Sequence, residues 1–137
     1  MSSINSINTP AAPQGELTLR VVAMPKDTNP YGDIYGGWVL SQMDLAGMVL
    51  AKKISSGRVA TVSVGRMGFM RPVPVGAVVS CYASLVETGR TSMRINVEVW
   101  IETENMTEQA KLSEADFWYV AISADGKTRP INRLQSP

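Results

Sequence analysis

Hydrophobic residues are spaced in two different ways along this chain, and the change of spacing divides it. From Gly36 to Ile54 the apolar positions are nearly continuous: Trp38, Val39, Leu40, Met43, Leu45, Ala46, Met48, Val49, Leu50, Ala51 and Ile54. The run covers roughly 18 residues, too long for a typical strand of about 5–6. Its Leu, Met, Ala, Gln and Lys content favours helix. A helix is therefore predicted. Lys52 and Lys53 suit the negative end of its dipole, and Ser55-Ser56-Gly57 supplies a stop. With apolar residues on nearly every side, it is expected to be buried around most of its circumference.

Everything after the helix reads as strand. TSMRINVEVWIET, 91–103, alternates: Met93, Ile95, Val97, Val99 and Ile101 fall on one face, and Arg94, Asn96, Glu98 and Trp100 on the other. RVATVSVGRMGF alternates in part, and 77–88 and 111–123 are rich in strand formers. One more strand, ELTLRVVAM at 16–24, precedes the helix. Pro, Gly, Asn and Asp at 25–33, 71–76, 88–90, 105–107 and 125–126 mark the connections. The order is strand, helix, then four strands. Short links predict an antiparallel, meander-like sheet, and the apolar helix must be covered. An α+β hotdog architecture meets both demands: one long buried central helix wrapped by a curved antiparallel sheet of about five strands. Residues 1–14 and 131–137 read as polar tails, the first one disordered, around a single domain at 15–130.

Composition narrows the chemistry. The chain has 137 residues, 45% hydrophobic and 18% charged. Charged residues are usually about 25%, so extra apolar surface is left to hide and an oligomer is expected. A net charge of +1 gives no argument for nucleic acid or an anionic membrane. No charged-then-apolar leader and no spanning run are present, so no signal peptide or membrane anchor is expected and the cytoplasm is the expected compartment. The single cysteine, Cys81, permits no internal disulfide and reads as a core hydrophobe rather than a reactive thiol. There is no histidine. That removes Ser-His-Asp and Cys-His nucleophilic machinery and histidine metal sites, and one cysteine cannot make a thiolate zinc site; no metal and no cofactor are expected. Catalysis would have to use carboxylates, amides, hydroxyls, lysine or backbone dipoles.

Asp44 stands out against this background. A carboxylate in an apolar helix is costly to bury unless paired. It either caps or bridges something, or it acts as general base or nucleophile. Gly36 and Gly37, at the predicted helix start, are either a tight turn or a place where backbone N–H groups meet a ligand. Asn29 lies in a turn-rich loop, where asparagine commonly serves the backbone. Thr61 and Ser63 follow on a strand, where a hydroxyl bonds either the backbone or the carboxylate. Arg58, Arg71 and Arg90 are surface charges or phosphate partners.

The motifs themselves, in order, are VAMP, DTNPYGDIYGGW, SQMDLAG, FMRPVPVGAVVSCYA, GRTS and INVEVW. Asn29 is seven residues before Gly36, and Asp44 is eight after it. In this combination and spacing the chain resembles the hotdog acyl-CoA thioesterases of the small bacterial YciA-like type, from residue 16 to about 130. The resemblance implies hydrolysis of acyl-CoA to a free acid and CoA. It implies hotdog dimers, often assembled as trimers of dimers. It places the catalytic carboxylate at Asp44 and a positioning asparagine at Asn29. The oxyanion donor falls on Gly36 with Gly37 beside it, and Ser63 is a candidate strand hydroxyl. For CoA it points to Arg71, Gly89, Arg90, Thr91 and Ser92, with Arg58 a further candidate. Gly65, Arg66 and Gly68 depart from the family pattern and bear on substrate choice.

Geometry adds a constraint. Eight helical residues span about 12 Å, so one carbonyl cannot touch Gly36 and Asp44 of the same helix. Two antiparallel helices in a C2 dimer bring the start of one to the second turn of the other. A shared site, Gly36 from one subunit and Asp44 from its partner, is expected. Two other readings compete: a hotdog dehydratase or hydratase, which generally uses histidine, and a non-enzymatic hotdog module that binds acyl-CoA or nucleotide.

Overall fold

The computed structural model describes residues 12–69 and 71–131. Most of the two predicted tails, 1–11 and 132–137, and Met70 lie outside the described residues. Strand β1 (Glu16–Val22) is followed by a 3-10 turn (Pro25–Asp27) and helix α1 (Gly36–Ser55). Then come β2 (Val59–Val64), β3 (Val78–Thr88), β4 (Ser92–Glu102) and β5 (Ala110–Ala121). They form one antiparallel sheet in the order β1-β3-β4-β5-β2. The helix packs against all five strands. No helix among the described residues is long and apolar enough to cross a membrane.

The helix stops where its sequence gives out. Ser56 takes a left-handed conformation (φ 57°), and the Gly57 N–H bonds the Lys52 carbonyl at 3.2 Å. Arg129 then clamps this end. Its guanidinium donates to the carbonyls of Ser55 (3.0 Å), Ile122 (2.9 Å) and Arg58 (3.2 Å). A cation on the last carbonyls also favours the helix dipole. Gly57 leaves the room: a Cβ there would lie 2.6 Å from Arg129 Nη2.

Two expectations are corrected. The sheet is not a four-strand meander. Only β3, β4 and β5 are consecutive neighbours, while β2 sits at the far edge against β5. Residues 65–77 carry Pro72, Pro74 and three glycines, which cannot continue a hairpin ladder, and they cross the domain to reach β3. The helix is not buried around most of its circumference within one chain. Trp38, Val39, Met43, Ala46 and Ala51 face the sheet, but Leu45 and Val49 are 47% and 46% exposed. The second face of β4, which carries Trp100, is not exposed throughout. Trp100 is buried beside the equally buried Glu98, to which its Nε1 donates at 2.9 Å. The inward set on β4, Met93 through Ile101, is buried throughout, as the alternation predicts.

Candidate active site

The site is assembled around Asp44, eight residues after the start of α1. One carboxylate oxygen, Oδ1, accepts a hydrogen bond from Thr61 Oγ1 at 2.7 Å. The Tyr119 hydroxyl lies 3.2 Å from the same oxygen and 2.8 Å from the Asp44 main-chain carbonyl. Thr61 and Tyr119 are directly paired across β2 and β5, so the sheet presents both hydroxyls together to the helix. Burial first, and then the Asp44 charge and hydrogen bond, push the Tyr119 hydroxyl far above its ordinary range. It therefore stays protonated and acts as a donor. No hydrogen bond to Oδ2 is formed among the described residues.

Tyr119 reaches the helix only because residue 47 is glycine. A Cβ at Gly47 would lie 2.2 Å from the Tyr119 hydroxyl oxygen. Sequence reasoning missed Tyr119 and Gly47. The available signal was a glycine inside a helix, where it costs about 1 kcal/mol relative to alanine and so asks for a reason. Ser63 is placed differently from its expectation. It is exposed, opposite Trp118, beyond a register shift between Thr61 and Ser63. The strand hydroxyl at the carboxylate is that of Thr61.

The start of α1 is left open. Its N-cap, Tyr35, makes no side-chain capping bond, and the first turn contains no acidic residue. The Gly36 and Gly37 N–H groups are among the four that a helix cannot satisfy internally. The edge of the Phe69 ring lies against Gly36, 3.0 Å from where a Cβ would stand. The preceding loop is rigidly built. Asn29 Oδ1 accepts the N–H groups of Tyr31 (2.9 Å) and Asp33 (3.1 Å). This turn brings the chain into the helix, with Tyr35 N–H on the Asp27 carbonyl at 3.2 Å. The Asn29 carbonyl oxygen thus serves the loop, while its amide Nδ2 makes no such bond among the described residues.

The candidate CoA residues divide into two groups. Gly89, Arg90, Thr91 and Ser92 form the β3–β4 turn, closed by Gly89 N–H on the Ser92 carbonyl at 2.8 Å. The end of β5 and the C-terminal segment hold it, through Ala121 N–H on the Thr91 carbonyl and Ile131 N–H on the Arg90 carbonyl. Arg58 shares this end, with its carbonyl accepting Ile122 N–H at 3.0 Å. Arg71 is at the opposite end. The chain on either side of it is tied down where Ser113 donates to the Gly68 carbonyl and Ile34 N–H to the Val73 carbonyl. Ser113 and Ala121 are eight residues apart on β5, about 27 Å. Within one chain Arg71 and the other five do not meet.

Comparison with known proteins follows the same lines. A family model described as the thioesterase superfamily matches residues 31–108. The acyl-CoA thioester hydrolase YciA of Salmonella typhimurium is 56% identical over 122 residues, which are 87% of this chain and 92% of that protein. A crystal structure of a hexameric thioesterase from Yersinia pestis superposes with a TM-score of 0.83 at 50% identity, covering 88% of this chain and 98% of that one. A hexameric hotdog fold thioesterase of Campylobacter jejuni gives 0.81 at 42% identity, covering 88% and 92%.

Proposed function

The chain belongs to the thioesterase superfamily and is an acyl-CoA thioester hydrolase; we propose that Asp44 is its catalytic carboxylate, within a site completed by a second subunit. The observation that carries this reading is the Asp44 carboxylate itself, held at Oδ1 by Thr61 and Tyr119 and open at Oδ2. Asp44 takes a proton from water as the hydroxide adds to the thioester carbonyl, or it attacks that carbonyl directly, expelling the CoA thiolate to leave a mixed anhydride that water then hydrolyses to the free acid and the regenerated carboxylate. In the first route the carbonyl becomes a tetrahedral oxyanion. Its collapse expels the CoA thiolate, which recovers the proton, so thioester and water become acid and thiol. Water is the only co-substrate and no cofactor takes part.

The oxyanion needs preorganised donors, and the uncapped N–H groups of Gly36 and Gly37 supply them. Asn29, in the rigid loop before them, positions water or carbonyl through its amide Nδ2. One helix separates Gly36 from Asp44 by about 12 Å, so we assign Gly36 from one subunit and Asp44 of the partner subunit to each site. The chain self-associates, and its relatives from Yersinia and Campylobacter are hexamers. Leu45 and Val49 on α1, with the half-exposed or more exposed Val62 and Val64 on the short edge strand β2, are the surface for a two-fold dimer. A trimer of such dimers is the proposed assembly. Antiparallel helices also reunite the divided CoA residues. Arg71, near the helix start of one subunit, then shares an end with Arg58, Gly89, Arg90, Thr91 and Ser92 of the other.

The test is free-thiol release from a panel of short to long acyl-CoAs by the wild type and Asp44→Ala. Turnover by the first and near-total loss in the second, with the oligomer unchanged by light scattering, is expected. Undiminished Asp44→Ala removes the assignment, and binding without turnover favours an acyl-CoA-binding module. Sharing is tested by mixing Asp44→Ala with Gly36→Val subunits. Each alone is inactive; a mixed dimer keeps one intact site, so random pairing restores about a quarter of wild-type activity. No recovery places the site within one chain.

A further inference from the structure

The Asp44 carboxylate has two oxygens, and the fold treats them differently. Oδ1 has Thr61 Oγ1 at 2.7 Å and the Tyr119 hydroxyl at 3.2 Å. The same hydroxyl is 2.8 Å from the Asp44 main-chain oxygen. The single hydroxyl proton is shared between these two oxygens, more closely with the main-chain one, so Tyr119 bridges the backbone and the side chain of one residue and holds the side-chain torsion against the helix axis. The hydroxyl cannot drift: the Tyr119 ring is wholly buried and stacked on Phe117, with centroids 6.3 Å apart and planes 18° from parallel. Its phenol stays protonated for the reasons of burial and charge given above, so it donates throughout the neutral range. Gly47, one turn from Asp44, is the gap that lets it in.

We propose that Tyr119 and Thr61 are positioning residues that occupy Asp44 Oδ1 and thereby present Oδ2 as the single reacting oxygen. This rests on the assignment of Asp44 as the catalytic carboxylate. It holds for either route, because Oδ2 is the atom that accepts the proton from water or forms the bond to the acyl carbon. A carboxylate free to rotate would spread its basic atoms over several positions. Holding one of them still shortens the search for the reacting geometry, where a displacement of about 1 Å is worth about 100-fold in rate.

The experiment compares kcat and KM for Tyr119→Phe, Thr61→Val and Thr61→Ser, each in the wild-type and Asp44→Ala backgrounds, on one acyl-CoA. Tyr119→Phe removes one oxygen and keeps the ring. It is expected to lower kcat about 10- to 100-fold with KM within about 2-fold. Thr61→Val behaves likewise, and Thr61→Ser, which keeps the hydroxyl, recovers most of the rate. In Asp44→Ala neither change lowers the residual rate further, because groups acting through one atom are not additive. Wild-type kcat in Tyr119→Phe overturns the proposal, as does an equal loss in both backgrounds, which would mark a purely structural effect. Should Tyr119→Phe fail to assemble, the Thr61→Val and Thr61→Ser pair decides: equal rates in both refute it. Active Asp44→Ala overturns the carboxylate assignment itself, whereas inactive Asp44→Ala beside fully active Tyr119→Phe overturns only the positioning role.

Discussion

Gly47→Ala sets two physical effects against each other in the middle of α1. Helix propensity alone favours alanine over glycine by about 1 kcal/mol, so an exposed site would be stabilised. Here the new methyl carbon falls 2.2 Å from the Tyr119 hydroxyl oxygen, 2.9 Å from Cζ and 3.1 Å from Cε2. An ordinary contact is about 3.5 Å, so methyl and hydroxyl must part by roughly 1.3 Å. The ring is buried and stacked on Phe117 and has no free direction to move. Overpacking of this kind costs about 1–3 kcal/mol, and separating the hydroxyl from the Asp44 carbonyl costs about 1 kcal/mol more. After the propensity gain, a net loss of about 1–3 kcal/mol is expected, or roughly 3–5 °C of Tm per kcal/mol for a chain of this size. Thermal and urea unfolding at matched protomer concentration measure it, because assembly shifts both. Adding Tyr119→Phe removes the nearest atom but leaves Cζ in the way, so the double variant recovers part of the loss. A Tm equal to or above wild type in Gly47→Ala refutes the packing argument and leaves propensity in charge.

Gly36→Ala adds a methyl beside the edge of the half-exposed Phe69 ring, which can yield, so stability should change by less than about 1 kcal/mol. The methyl narrows the approach to the helix N–H groups, and thiol release should fall about 10- to 100-fold; an unchanged kcat removes Gly36 from the site. Arg129→Ala leaves three carbonyls without their charged donor and should cost about 1–3 kcal/mol by urea midpoint. Arg58→Ala, which loses a single side-chain bond to the Ala124 carbonyl, serves as the comparison, and an equal or larger loss there contradicts the clamp. Burial pushes the Cys81 thiol from 9.0 up to about 12. The folded state thus holds its proton more tightly, and this stabilising contribution is complete below about pH 9 and is lost as pH rises towards about 12. Ellman's reagent at pH 8 should find no thiol in the folded protein and one per chain after denaturation; one equivalent in the folded state would show Cys81 to be accessible.

The fold was largely legible because each element carries its own period. The alternation of Met93, Ile95, Val97, Val99 and Ile101 defines β4 to within a residue at each end, and unbroken apolarity defines α1. What the pattern does not encode is which strand lies beside which. Thr61 pairs with Tyr119 across more than fifty intervening residues, and nothing local to either records it. Near-continuous apolarity predicts a helix buried around most of its circumference, yet one chain covers only the side facing the sheet. The excess apolar positions, Leu45 and Val49, are left exposed by one chain and lie on the surface proposed above for the dimer. A hydrophobic pattern reports total burial without saying which chain supplies the cover. The burial of Trp100 and Glu98 shows the opposite limit, since period puts both on the polar face and says nothing of what covers it.

For the site, Asp44 was legible as a chemical contradiction, a charge in an apolar helix, and Gly36 and Gly37 as a break before it. Its supporting hydroxyls were not, because spacing along β2 offered Thr61 and Ser63 equally. The register shift after Thr61 decides between them, and it turns Ser63 outward to solvent. Tyr119 gave no signal of its own among the aromatics of β5, where a buried tyrosine reads as core. Gly47 did carry one. A helix interior tolerates glycine only at a loss in propensity, and here that loss is what opens the space for a hydroxyl beside the carboxylate. An interior helical glycine three residues from an isolated acid thus points across the core, to whichever large side chain needs the missing methyl's place.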